Sequence, residues 1–177
     1  MRNLNFLKII FLLALCSCNL FKEEEPQLPP ETQTGANTFG CYVNGELFVK
    51  DGSAPWMHRP VEASLQIRNQ ILILESYVTK NGYMYIEIHE PKANISIPVS
   101  IAYYRTSEWT RDCFCFGGKE TGELFFTKLD TVNRIVSGRF QFQGQCSNEM
   151  LEITGDSIVS ITNGRFDIKL DIYDNDN

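Results

Sequence analysis

The chain predicts an all-β fold, an antiparallel β-sandwich or β-barrel of about nine or ten short strands. Three observations predict it. From Asn37 onward apolar and polar residues alternate with period two. Turn signals, Asn-Gly above all, recur between the alternating segments. No stretch sustains a helical period. One wet face per segment also excludes a parallel sheet buried on both faces.

Residues 1–17 have the plan of a secretory signal, with Arg2 and Lys8 ahead of an apolar run that ends at Cys16. That run is far shorter than the roughly 20 residues a helix needs to cross a bilayer, and no comparable run follows, so no transmembrane helix is expected. Leu15-Cys16-Ser17-Cys18 resembles the lipobox of bacterial lipoproteins, with an aliphatic residue at −3 and a small one at −1 relative to Cys18. The resemblance implies cleavage before Cys18 and attachment of acyl chains to it, which anchor stably because each buried methylene contributes about 0.8 kcal/mol. Asn19, where inner-membrane retention favours Asp, implies the outer membrane. Lys22-Glu23-Glu24-Glu25 resembles an export signal to the cell surface, although such a run is equally a solvated tether. The anchored protein therefore faces the periplasm or the cell exterior. Residues 18–36, with Pro26, Pro29, Pro30 and four glutamates, read as an extended, mobile linker.

Residues 37–177 form one domain. Thr38 to Val43 and Glu46 to Lys50 flank Asn44-Gly45, a hairpin signal. Val61, Ala63, Leu65 and Ile67 then alternate with polar residues. Asn69-Gln70 turns the chain into a more central strand at 71–78, and Asn81-Gly82 turns it again into Met84, Ile86 and Ile88. Pro98 demotes the segment 95–102 to an edge or bulge. Strands follow at 111–116, 122–129 and 134–143, the last burying Val136, Gly138, Phe140 and Phe142. Short strands near 151–154 and 157–162 lead to a turn at Asn163-Gly164, after which Phe166, Ile168, Leu170 and Ile172 close the pattern.

Asn37-Thr38-Phe39-Gly40-Cys41-Tyr42-Val43-Asn44-Gly45, Lys128-Leu129-Asp130 leading into Ile135-Val136-Ser137-Gly138-Arg139-Phe140, and Asn163-Gly164-Arg165-Phe166-Asp167-Ile168 together resemble an uncharacterised Bacteroidota-type lipoprotein family, over most of residues 37–170. The resemblance implies a location and a fold class and carries no catalytic residue. Asp130-Thr131-Val132 and Asp156-Ser157-Ile158 resemble the O-glycosylation acceptor of this bacterial group, which makes Thr131 and Ser157 candidate acceptors.

The whole chain has a formal net charge of −6; without residues 1–17 it has 14 basic and 22 acidic residues. No basic cluster suits nucleic acid, and an acidic surface leaves membrane attachment to the lipid. Beyond the signal and anchor, Cys41, Cys113, Cys115 and Cys146 enter an oxidising space, where disulfides are the default. Cys113 and Cys115, two apart on one strand face, would have Cα atoms roughly 6.5–7 Å apart, at the limit for a bridge. Each is therefore expected to pair with Cys41 or Cys146 instead. The spacing lacks the zinc knuckle, so no metal or cofactor is expected.

Little in the chain supports catalysis. There are two histidines, His58 and His89, and no nucleophile elbow, zincin motif or phosphate-cradling loop accompanies them. Glu87 and Glu90 could pair as glycosidase carboxylates, but nothing in their spacing singles them out. Aromatics instead concentrate where loops are expected: Trp56 within residues 55–60, then Tyr103, Tyr104 and Trp109. Such side chains suit sugar rings or protein partners, or cap the ends of a core. The reading is a binding or structural module with a glycan or protein ligand, not an enzyme, and no oligomeric state is implied. The alternative is a small envelope hydrolase acting on glycan or peptide.

Overall fold

A computed structural model describes residues 27–49, 61–66, 69–78, 82–105, 114–118, 120–147 and 158–173. Among them the chain is all-β, in eleven strands: β1 (Thr38–Val43), β2 (Glu46–Val49), β3 (Val61–Gln66), β4 (Ile71–Val78), β5 (Gly82–His89), β6 (Ser96–Pro98), β7 (Ile101–Arg105), β8 (Phe114–Gly118), β9 (Gly122–Asp130), β10 (Ile135–Ser147) and β11 (Ile158–Tyr173). They form one sheet in the order β2-β1-β11-β3-β4-β5-β7-β8-β10-β9-β6. β10 also pairs with β11, so the pairings β11-β3-β4-β5-β7-β8-β10 run in a closed circuit.

Local signals act as expected at several places. Asn44 and Gly45 both have positive φ, 50° and 85°, and join β1 to β2 in a two-residue loop. Pro98 lies in β6 at the sheet's edge, where its missing N–H costs no ladder bond. Alternation is cleanest in β3 and β5, where Val61, Ala63, Leu65, Met84, Ile86 and Ile88 are buried.

Three expectations give way. The strands are not all short: β10 has 13 residues and β11 has 16. Asn163-Gly164 does not reverse the chain. It is a bulge within β11, marked by Asn163 at φ 53° and by a register shift against both β10 and β1. The sheet is mixed rather than antiparallel, because the end of β11 pairs with β3 in parallel. That contact joins strands far apart in sequence, and only a short hairpin obliges neighbours to be antiparallel.

The long strands explain the closure. β10 pairs with β9 through residues 135–142 and with β8 through residues 145–147. β11 pairs with β1 through residues 161–167 and with β3 through residues 170–173. Each passes from one group of neighbours to another, and the sheet folds over a single apolar cluster. Phe48 of β2 meets Tyr104 of β7 edge-on at 5.9 Å, so strands well apart in the order share this core.

A repeated tripeptide locks β10 to β11. Gly138-Arg139-Phe140 and Gly164-Arg165-Phe166 face each other antiparallel, with Gly138 opposite Phe166, Arg139 opposite Arg165 and Phe140 opposite Gly164. Each phenylalanine ring covers the glycine across from it. A Cβ on Gly164 would lie 2.6 Å from the Phe140 ring, and one on Gly138 would lie 2.8 Å from Phe166 and 2.3 Å from the Phe125 carbonyl oxygen. Phe39 lies against Phe140 at 5.0 Å and carries this aromatic layer into β1.

Candidate functional site

The outer face carries a row of side chains in register across six strands: Glu75, Tyr85, Tyr103, Phe116, Gln145 and Ile158. Tyr85 and Tyr103 stack, with centroids 4.9 Å apart and planes at 17°, and Tyr103 leans on Phe116 at 5.9 Å. Carboxylates fix the row from one side. The Tyr85 hydroxyl donates to Glu87 at 2.7 Å and the Tyr83 hydroxyl donates to Glu75. Burial first, then these acceptors, push both phenols well above their ordinary pKa. At the far end of the row Phe116 and Ile158, with Gln145 between them, are 53% and 61% exposed.

Between them lies a depression of about 580 Å³, lined by Phe116, Gly118, Glu120, Gln143, Gln145 and Ile158 among others. Gly118 is two residues from Phe116 on β8 and so faces the same side. A Cβ built there would find within 4 Å only the Ser100 carbonyl oxygen, at 3.6 Å, so the space over Gly118 is open. An aromatic ring, a bare backbone and amide and carboxylate groups thus border one opening. That combination of one apolar wall and several hydrogen-bonding groups is what a binding pocket for a polar ring requires.

Farther along, the chain's own N-terminal segment covers the outer face of β10 and β11. Residues 29–36, expected in a mobile linker, are bound to the sheet. Asp167 is buried, 1% exposed, and accepts hydrogen bonds from Thr32 Oγ1 (2.6 Å), Thr34 N (3.0 Å), Thr34 Oγ1 (3.2 Å), Gly35 N (2.8 Å), Ala36 N (3.3 Å) and Ser137 Oγ (2.7 Å). Burial raises its pKa, but the bonds from Thr32, Thr34, Ser137 and Gly35 outweigh that and hold the carboxyl well below the ordinary range. Lys128 Nζ donates to the Gln33 carbonyl at 3.1 Å. Glu31 lies between the two facing arginines, 2.6 Å from Arg139 and 3.5 Å from Arg165, and relieves the repulsion of like charges directly opposite on neighbouring strands.

The residues singled out by sequence scatter. Tyr103 and Tyr104 lie in strand β7, not in a loop, and alternation sends them apart: Tyr103 outward into the row, Tyr104 inward, 8% exposed, into the core. Tyr104 is therefore a core residue and no ligand contact. Cys115 and Cys146 sit opposite each other on β8 and β10 and form a disulfide, one of the expected pairings. Cys41 is a free, fully buried thiol with its pKa raised by burial, so its expected bridge does not form. It points into the core from β1, which leaves it a small apolar filler. Thr131 is exposed in the turn after β9, next to Val132 at 89% exposure, while Asp130 accepts from the backbone of Val132 and Asn133. Cys18, Trp56, His58, Cys113, Trp109 and Ser157 lie outside the described residues.

Among the described residues, Glu87 and His89, two of the acid–base candidates the sequence offered, do not reach an opening. Glu87 accepts from Tyr85 and lies 2.7 Å from His89 Nε2. The bond from Tyr85, opposed by burial and aided by His89, holds Glu87 below its ordinary pKa, an ionised carboxylate with both oxygens engaged. Neither Glu87 nor His89 lines the depression beside Phe116. Among the described residues no group of three or more metal-ligating side chains comes together, and no helix is long and apolar enough to cross a membrane. Sequence reading passed over Phe116, Gln143, Gln145 and Ile158 because each looks like an ordinary member of an alternating strand; only their register across three strands makes them neighbours. No family model, no curated protein and no solved structure matches the chain.

Proposed function

We propose that the chain is a lipid-anchored protein of the outer membrane, held by acyl chains on Cys18, that binds glycan in the depression beside Phe116. The anchor rests on the lipobox resemblance, and the likeness to a Bacteroidota-type lipoprotein family supports the same location. The observation that carries the ligand class is the juxtaposition of an exposed Phe116 ring, braced by Tyr103, with open backbone at Gly118 and with Gln143, Gln145 and Glu120 around it. A pyranose offers just these two kinds of surface, C–H groups on its faces and hydroxyls around its rim. Apolar faces meet aromatic rings, while amides and carboxylates exchange hydrogen bonds with hydroxyls. Thr131 is exposed and does not line the depression, which is compatible with its being an O-glycosylation acceptor.

The test is retention of the purified mature lipoprotein, in detergent, on a panel of insoluble polysaccharides, followed by calorimetry with matching soluble oligosaccharides. Phe116→Ala should weaken binding at least about tenfold, about 1.4 kcal/mol or more, while circular dichroism shows the β fold retained. Retention on no polysaccharide would reject the glycan reading, and equal binding by Phe116→Ala would reject the site.

A further inference from the structure

We infer that the depression beside Phe116 is one end of a groove that holds a linear, uncharged glycan chain along β10, not a single sugar; this rests on the glycan reading above. The outward side chains of β10 are Arg139, Gln141, Gln143 and Gln145, all exposed, alternating with buried Phe140, Phe142 and Gly144. They border three depressions in succession. The first, beside Phe116, shares Glu120, Thr121 and Gln143 with a second of about 480 Å³. The second shares Gln141 and Glu123 with a third of about 300 Å³. The shared lining residues set the three depressions side by side along β10. From Arg139 to Gln145 they follow six residues of strand, roughly 20 Å, room for roughly four sugar units.

The chemistry changes along the groove in a way that fits a repeating polyhydroxyl chain. The middle section presents the amides of Gln141 and Gln143 and the hydroxyls of Ser160 and Thr162, groups of a kind that both donates and accepts, while the Thr121 hydroxyl is bonded to the Gly118 backbone. Glu123 holds part of this surface in place, accepting from Gln141 Nε2 at 2.7 Å and from Ser96 Oγ at 2.7 Å. A second ring, Phe125, 36% exposed, lines the far section. Aromatic faces thus stand near both ends of a hydrogen-bonding floor.

Charge and backbone pairing narrow the occupant. Among the described residues Glu120, Glu123 and Glu31 border the groove, and the two cations that line it, Arg139 and Arg165, already face Glu31. Among these described residues a polyanion would meet three carboxylates and two arginines already committed to Glu31. An extended peptide would seek a strand edge, but β10 is paired with β11 on one side and with β9 and β8 on the other, so its backbone is committed. Recognition falls to side chains, and hydroxyls suit these.

The experiment is calorimetry of the mature lipoprotein with linear gluco-, xylo- and manno-oligosaccharides of increasing length, alongside oligogalacturonates. The expected result is affinity for at least one uncharged series that rises at least tenfold from the disaccharide to the tetrasaccharide and then levels off. Gln141→Ala, at an exposed position, should remove most of that gain and leave the disaccharide unaffected. Gly118→Val, which fills the first section, should abolish binding at every length. Binding that does not depend on length, or a Gln141→Ala protein that keeps the whole gain, would overturn the groove while leaving the single-sugar site intact. Oligogalacturonates bound as tightly as any uncharged series would overturn the charge assignment. No binding of any saccharide would reject the glycan reading itself.

Discussion

Replacing Asp167 should detach residues 32–36 and cost the protein about 4 kcal/mol. The magnitude follows from the structure. Asp167 accepts six hydrogen bonds, five of them from residues 32–36. At the low end for charged acceptors, about 1.5 kcal/mol each, the six contribute roughly 9 kcal/mol. Releasing five ordered residues returns about 5 kcal/mol of backbone entropy at roughly 1 kcal/mol each, so about 4 kcal/mol remains. Asp167→Asn keeps the shape but turns an NH₂ toward N–H donors, so it should lose nearly as much as Asp167→Ala. Urea denaturation of the wild type and both variants measures the loss, and hydrogen exchange at the Gly35 amide reports detachment directly. The sign with pH is set by the lowered carboxyl pKa. The unfolded group titrates near about 3.9, so its contribution is complete above that pH and is lost as pH falls through the folded value. The gap between wild type and Asp167→Asn should therefore be flat above about pH 5 and narrow on acidification below about pH 4. A loss under about 1 kcal/mol, or a gap that widens in acid, would refute the reasoning.

Four further outcomes are expected. Gly164→Ala should cost about 1–3 kcal/mol by driving a methyl into the Phe140 ring, and Gly138→Ala more, because its methyl also meets the Phe125 carbonyl; thermal melts rank them. Removing the Cys115–Cys146 disulfide, which closes a separation of 31 residues, should lower stability by roughly 3–4 kcal/mol in denaturant titrations of the double alanine variant. Native protein treated with iodoacetamide should stay unlabelled at Cys41 and be labelled there once unfolded, as peptide mass spectrometry would read. Cys18→Ala should move the protein from the membrane fraction to the soluble fraction on cell fractionation.

Much of the sheet was legible because its information is local. Alternation at 61–65 and 84–88 is carried by the residues themselves, and Asn44-Gly45 specifies its turn with no outside help. Asn163-Gly164 presents the same local signal with a different outcome. A positive φ serves a chain reversal or a bulge equally, and the choice depends on how far β10 and β1 pair on either side. Tyr103-Tyr104 was misplaced because two adjacent aromatics mimic a sticky loop; within a strand the same pair simply divides between the faces. Asp167 read as one more wet-face residue, since its donors lie 131 to 135 residues earlier except for Ser137. The groove was invisible for a related reason. Gln141, Gln143 and Gln145 form an ordinary polar face until Thr121, Ser160 and Phe125 arrive beside them from other strands.

The grip of Asp167 on the N-terminal segment also governs how the protein bears mechanical load. A pull on the chain ahead of residue 29 would otherwise reach β1 and peel its pairs from β11 one after another, the weakest direction in which to strain a ladder. With residues 32–36 bonded to Asp167 and Glu31 set between two arginines, tension enters instead at β11, which pairs with β10, β1 and β3. The clustered bonds must then fail together, and the hairpin of β1 and β2 is shielded until they do. The segment acts as a strain relief, much as a cable is clamped before its solder joint.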